Sequence, residues 1–311
     1  MQPDSPDNPS PDKQTLSFLL RRFRQAGIEP RTDLGQNFLI DMNLQRVLLD
    51  AAHIGPDDVV LEVGTGTGGL TQQMAPLAAA VVSVEVDRDL HQLAGEELFH
   101  FANVTLLHTD VLKTKSRIEP AVLEAVQRLL DTRPQRQWKL VANLPFNVAT
   151  PLISNLLALD RPPSTMTVTV QKEVADRIVA RPGVKDYGAL AIWIQSQCRA
   201  EIIRVLAPSV FWPRPKVSSA FVQITLDETL RQRIPDRAFF HDFVRKMFFH
   251  RRKVLRSQLL GACRQFSKAQ VDELLAGLGL DPTLRAERLG PEEMLRLCEA
   301  ARHLECGEGT M

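Results

Sequence analysis

The sequence predicts an α/β protein: a seven-stranded, mostly parallel sheet with one antiparallel strand, followed by a smaller all-helical domain. Three observations lead there. From Asp58 onward, short β-branched runs alternate with segments of helical periodicity, the pattern of βαβ units and of a parallel sheet covered on both faces. The last of these runs follows a Pro-rich loop instead of a helix, so it pairs antiparallel with its predecessor, because parallel pairing needs a crossover. Beyond Asp227 the strands cease and only helical periodicity remains.

Taken in order, residues 1–14 are rich in Pro, Asp and Ser with almost no apolar content, the composition of a disordered tail. Leu16, Leu19, Leu20 and Phe23 recur at helical spacing until Gly27 and Pro30 break the pattern. Strands are expected at 58–63, 80–86, 104–108, 138–143, 165–170, 201–206 and 219–226. The closing helices are expected at 239–247, 251–260, 268–278 and 291–301. The division predicted is a tail over 1–14, a larger domain over 15–228 and a helical domain over 229–311, with no internal repeat.

At 311 residues, 44% hydrophobic and 24% charged, the chain can bury one large core and a smaller second one. No apolar run approaches the roughly 18 residues that span a bilayer, and the N-terminus has neither a basic nor an apolar signal region. A cytoplasmic protein is expected, with Cys198, Cys263, Cys298 and Cys306 as reduced thiols and no metal site, since no C-x-x-C pair occurs. A monomer is expected, because no heptad or apolar interface stands out. A net charge of +1 leaves any polyanion contact to local clustering.

The first strand runs into EVGTGTGG, Glu62 to Gly69, in which Gly64, Gly66 and Gly69 satisfy G-x-G-x-x-G. Such glycines allow a tight turn and close backbone approach to a ligand at a helix N-terminus, although a packing turn would use them too. The second strand ends at Glu85, about 20 residues on, where an acid can take ribose hydroxyls; the third ends at Asp110, on the same carboxyl edge of the sheet. A nicotinamide dinucleotide and S-adenosylmethionine both fit these features. No His or Lys is placed for hydride chemistry, which favours the methyl donor. Glu62 either orients the loop near a sulfonium or caps loop amides.

The fourth strand delivers NLPF, Asn143 to Phe146, at that edge. An exocyclic aromatic amine is a poor nucleophile because its lone pair is delocalised. A site that accepts both N–H bonds draws the nitrogen toward a reactive, tetrahedral geometry. The Asn143 oxygen and a main-chain carbonyl of the loop, at Leu144 or beside it, supply such acceptors, and Pro145 stiffens the backbone. Phe146 can stack on the base, worth roughly 1–3 kcal/mol. The alternative is an ordinary strand-to-helix turn.

These pieces together, with GQNFLID (35–41), VEVD (84–87), NLPFNVATPL (143–152), VQKEVADR (170–177), PGVKDYG (182–188), FWPRPKVSS (211–219) and HRRKVLRSQL (250–259), closely resemble the small-subunit rRNA adenine N6,N6-dimethyltransferase family. The resemblance covers nearly the whole chain after about residue 30. It implies a Rossmann-like class I methyltransferase fold, with S-adenosylmethionine contacted by Asn37, Leu39, Gly64, Gly66, Glu85, Asp110, Val111 and Asn143. It implies dimethylation of two adjacent adenosines in the 3′-terminal hairpin loop of small-subunit rRNA, within ribosome biogenesis. The family commonly has Tyr where this chain has Phe146, a change that keeps stacking and loses a phenolic hydrogen bond. Phe211 matches the family's aromatic on the Pro-rich loop, where it either covers the other face of the target base or anchors the loop.

Residues 243–256 interleave Arg245, Lys246, Arg251, Arg252, Lys253 and Arg256 with apolar residues at helical spacing, a basic helical face; Lys172 and Arg177 add to the same rim. With a pocket for a nucleobase, these cations read as phosphate contacts beside an extruded base. The other readings are a large-subunit rRNA dimethyltransferase of the antibiotic-resistance type and a non-catalytic ribosome-assembly factor.

Overall fold

The computed structural model describes residues 16–31 and 34–305. The tail expected over 1–14 and Cys306 lie outside them. Seven strands form one sheet: β1 (Asp58–Val63), β2 (Ala80–Glu85), β3 (Val104–His108), β4 (Gln137–Asn143), β5 (Thr165–Gln171), β6 (Cys198–Leu206) and β7 (Ser219–Leu226). Their order is β3-β2-β1-β4-β5-β7-β6, mostly parallel with one antiparallel strand. The pairs β1–β2, β1–β4, β2–β3 and β4–β5 are all parallel. Every residue of β1 and β2 is buried, which is why both are rich in Val on either face without apolar–polar alternation, and why their few polar residues, such as Glu62 and Ser83, are buried too. The chain reverses direction of travel across the sheet at β1, so the loops after β1 and β4 open side by side at the carboxyl edge, where α/β sheets bind ligands.

Packing divides the chain into two compact units that a single cut after residue 228 does not reproduce. One comprises the chain to Asn155 with Pro163–Lys172 and Ile203–Gln223. The other adds Leu156–Pro162 and Glu173–Ile202 to everything from Ile224. The reason is visible at buried Arg231, whose guanidinium donates to the Leu157 carbonyl at 2.9 Å and to the carbonyl of Leu159 and the amide oxygen of Gln197. Tyr187, fully buried, likewise donates to the Leu289 carbonyl at 2.9 Å. Segments from the middle of the sequence are thereby sewn to the helical end.

Two helices stand where 239–247 and 251–260 are expected, so the basic stretch 243–256 is not one continuous helix. One, Arg237–Met247, stops; a turn follows, and the next spans Leu255–Ala262. The break has a tertiary cause. The backbone N–H groups of Leu255 and Arg256 bond to the carbonyls of Leu284 and Pro282, at 2.6 and 3.2 Å, instead of to carbonyls one turn earlier. Cys198, Cys263 and Cys298 are buried and unpaired, and burial pushes the first two thiols up to about 12. Among the described residues no helix is long and apolar enough to cross a membrane.

Candidate functional site

The glycine loop after β1 turns through left-handed backbone at Gly64 (φ +85°) and Gly66 (φ +58°), which only glycine adopts freely. A Cβ on Gly64 would stand 3.2 Å from Cδ of Pro145, and one on Gly66 would stand 3.1 Å from the ring of Phe38. The loop is therefore pressed between the NLPF segment and the segment before the helix Met42–Ala52. Beneath it, Glu85 from the end of β2 accepts the Gly66 N–H at 2.8 Å and the Asp87 N–H at 2.9 Å, one on each carboxylate oxygen. Each oxygen keeps a lone pair. Burial raises the Glu85 carboxyl and the charge of Asp87 adds to the rise, while the N–H groups of Asp87, Gly66 and Val86 oppose it.

Glu62 is 1% exposed and lines the same cleft. Its partners are hydroxyls, not loop amides: Ser83 donates at 2.6 Å and Thr71 donates to the same oxygen. Of the two readings open for Glu62, the loop-amide cap is the one these partners do not support; a buried hydroxyl–carboxyl cluster stands in its place. Burial pushes the Glu62 carboxyl up to about 8, with the Ser83 and Thr71 hydroxyls opposing and Glu85 adding to the rise. The folded protein therefore holds a proton that the unfolded chain releases above pH 4.5. That difference costs stability progressively between pH 4.5 and about 8 and is absent below the lower value. Glu62→Gln keeps the shape and the neutral charge, with its oxygen where Ser83 and Thr71 donate. We expect it to match the parent in unfolding free energy near pH 4 and to exceed it by roughly 2–4 kcal/mol at pH 7. Denaturant titrations across pH check this; a constant difference at all pH values would contradict it.

Asn143, the last residue of β4, donates from Nδ2 to the Asn37 carbonyl at 2.8 Å. A carbonyl can only accept, so this contact decides which way the amide faces. The Asn143 oxygen is left without a donor among the described residues. Asn37, Leu39, Gly64, Gly66, Gly69, Glu85, Asp110, Val111, Asn143, Leu144 and Pro145 all line one cleft. The backbone of Asp110 and Val111 is set by a turn in which Asp110 accepts the Leu112 N–H at 2.8 Å.

Phe146 is half-buried and lies off the cleft lining, where Asn147 and Val148 take its place. Phe211 requires a correction. It is 2% exposed and packs in the core with Leu39, Leu44 and Phe221 rather than over the cleft. The cause is a two-residue ladder, Phe38–Leu39 with Phe211–Trp212, whose alternation turns Leu39 and Phe211 to the core and Phe38 and Trp212 to the other side. Of the two roles open to Phe211, loop anchor is the one its packing supports. Sequence reasoning overlooked Phe38, which lines the cleft and stacks on Trp212 with ring centroids 6.2 Å apart. It also overlooked Gln36, which bridges from the Arg31 N–H to Asp87. Both lie inside GQNFLID, beside residues already chosen.

The basic residues are not equivalent. Lys246 pairs with Asp242, Arg251 with Glu287 and Arg256 with Asp272. Among the described residues Arg245, Arg252 and Lys253 are exposed and have no ion-pair partner. Lys172 and Arg177 are half-buried on the helix Lys172–Val179.

The profile of the ribosomal RNA adenine dimethylase family matches residues 27–302. The chain belongs to that family. Within the ribosomal RNA adenine dimethylases it is 38% identical over 287 residues to the ribosomal RNA small subunit methyltransferase A of Moorella thermoacetica, covering 91% of this chain and 96% of the relative. It is 39% identical to the enzyme of the same name from Geobacillus kaustophilus, over 91% and 93% of the two chains. The solved dimethyladenosine transferase from Plasmodium falciparum superposes with a TM-score of 0.69 at 22% identity, over 86% of this chain and 96% of that one. The 23S rRNA methyltransferase ErmE superposes at 0.58 and 24% identity, over 85% and 99%. Both share the fold. This dimethylase is an rRNA methyltransferase dependent on S-adenosylmethionine.

Proposed function

We propose that this chain dimethylates N6 of two adjacent adenosines in the 3′-terminal hairpin loop of small-subunit rRNA, acting as a cytoplasmic monomer on a pre-ribosomal particle. One observation carries the chemistry: the Asn143–Asn37 bond, which leaves the Asn143 oxygen as an unengaged acceptor on the cleft. The residues fit the cofactor. Glu85 keeps lone pairs for ribose hydroxyls, Asp110 stands at the same edge for an adenine amine, and the left-handed glycines let backbone approach closely. S-adenosylmethionine supplies an electrophilic methyl on a positive sulfur. Asn143 and a loop carbonyl accept the amine protons and raise the nucleophilicity of the nitrogen; Pro145 holds the loop, and Phe146 stacks on the base after a modest reorientation. A strong general base is then unnecessary, since the proton leaves after transfer.

The small-subunit target is favoured over the large because relatives near 38% identity named for the small subunit cover about nine-tenths of the chain. Purified small and large subunits incubated with labelled donor test it. The expected result is label in adenosines of the small-subunit 3′ hairpin, read by mass spectrometry; label confined to large-subunit rRNA would overturn the reading.

A further inference from the structure

The turn between the helices Arg237–Met247 and Leu255–Ala262 carries two phenylalanines with opposite fates. Phe248 packs inward, its ring 3.8 Å from where a Cβ on Gly188 would lie. Phe249 is 81% exposed, and among the described residues the His250 ring is the one ring set against it, edge-on at 4.9 Å. The turn itself is held firmly: Arg251 donates to Glu287 at 2.9 Å and to the carbonyl of Lys185. A lone exposed apolar side chain is ordinary, and Phe99, 85% exposed after Glu96 and Glu97, is such a case. Phe249 differs in its company. Arg252 and Lys253 follow it on the same turn and Arg245 stands on the last turn of the preceding helix, all exposed and none in an ion pair among the described residues.

Cations left unneutralised beside a flat apolar ring match a polyanion that has exposed flat rings of its own. We propose that Phe249 stacks on an unpaired base of the rRNA substrate while Arg252 and Lys253 hold the adjoining phosphates. The proposal rests on the rRNA reading above and adds to it a base contact made outside the cleft. A folded-protein surface would meet the ring with apolar side chains but would leave these cations without counter-charge. Single-stranded rRNA satisfies both.

The test uses the full-length chain and small subunits whose 3′-hairpin adenosines are unmethylated. Phe249→Ala is expected to weaken binding roughly 5- to 100-fold while leaving the dependence of affinity on salt unchanged. Phe249→Trp is expected to bind as the parent does, with its indole emission quenched on the particle. Arg252→Ala with Lys253→Ala should instead flatten the log–log salt slope by about 1.5–2. Since Phe249 is exposed, matching thermal transitions will show that each variant folds. Parental affinity for Phe249→Ala together with a flattened slope for the double variant would overturn the stacking and leave the rRNA reading standing. Phe249→Leu binding as tightly as the parent would overturn it in favour of an apolar protein contact. If neither Phe249→Ala nor the double variant weakens binding, the turn is outside the interface, and the methylation assay then judges the rRNA reading separately.

Discussion

Asn143→Ala is expected to lower kcat by about 10²–10³-fold, the scale on which a single preorganised polar group contributes in a water-poor site. The argument rests on the direction of the amide. Its nitrogen is engaged by the Asn37 carbonyl at 2.8 Å, so the oxygen cannot turn away from the cleft without breaking that bond. Truncation removes the acceptor and leaves the Asn37 carbonyl without its donor, at a cost of about 1 kcal/mol in stability. That loss is small beside the kinetic effect, so a melting curve near the parent's accompanies the collapse in turnover. Asn143→Asp should fail as well, because a carboxylate oxygen would replace the donor facing that carbonyl. Single-turnover kinetics with unmethylated small subunits give the rate, and binding to the same particles gives the control. Methyl transfer at the parental rate would remove Asn143 from the chemistry. Loss of rate with binding retained would set apart catalysis from any docking role in assembly.

Gly64→Ala is the second large effect, and it should strike cofactor and substrate together. A side chain at φ +85° costs about 1–2 kcal/mol in backbone strain. The new Cβ would also meet the Pro145 ring at 3.2–3.3 Å. Relief requires either the glycine loop or the NLPF segment to move. A displacement near 1 Å is worth about 10²-fold in rate, and this contact needs a few tenths of that, so with the backbone strain added kcat/KM should fall by about 10- to 100-fold. Affinity for S-adenosylhomocysteine, read by calorimetry, should fall in the same variant. Retained product affinity with normal turnover would show that the two loops are not mechanically linked.

Much of the sheet was legible because its central strands are buried and separated by helices, so residues 58–63 and 80–85 stand out as Val-rich, β-branched segments. The residues lining the cleft were legible for a related reason: strand ends in a parallel sheet converge on one edge whatever lies between them. What escaped was tertiary. Phe211 owes its orientation to a two-residue ladder with Phe38–Leu39, a pairing across more than half the chain that leaves no local pattern. The helix expected at 251–260 starts instead at Leu255, where the carbonyls of Leu284 and Pro282, remote in sequence, take its first N–H groups. The grouping of 173–202 with the helical end depends on Arg231 and Tyr187, each finding backbone carbonyls remote in sequence. Glu62 left two readings open in the sequence, because the hydroxyl partners that rule against an amide cap come from a neighbouring strand and helix.

The bond from Glu85 to the Gly66 N–H means that the curvature of the glycine loop is imposed by the second strand of the sheet and does not wait for a ligand. Conformational entropy of that loop is therefore lost while the chain folds. Binding then proceeds against a surface already in shape, so the association step has little ordering to oppose it. The same carboxylate that would recognise a ribose also acts as a splint, which ties ligand affinity to the rigidity of the sheet edge.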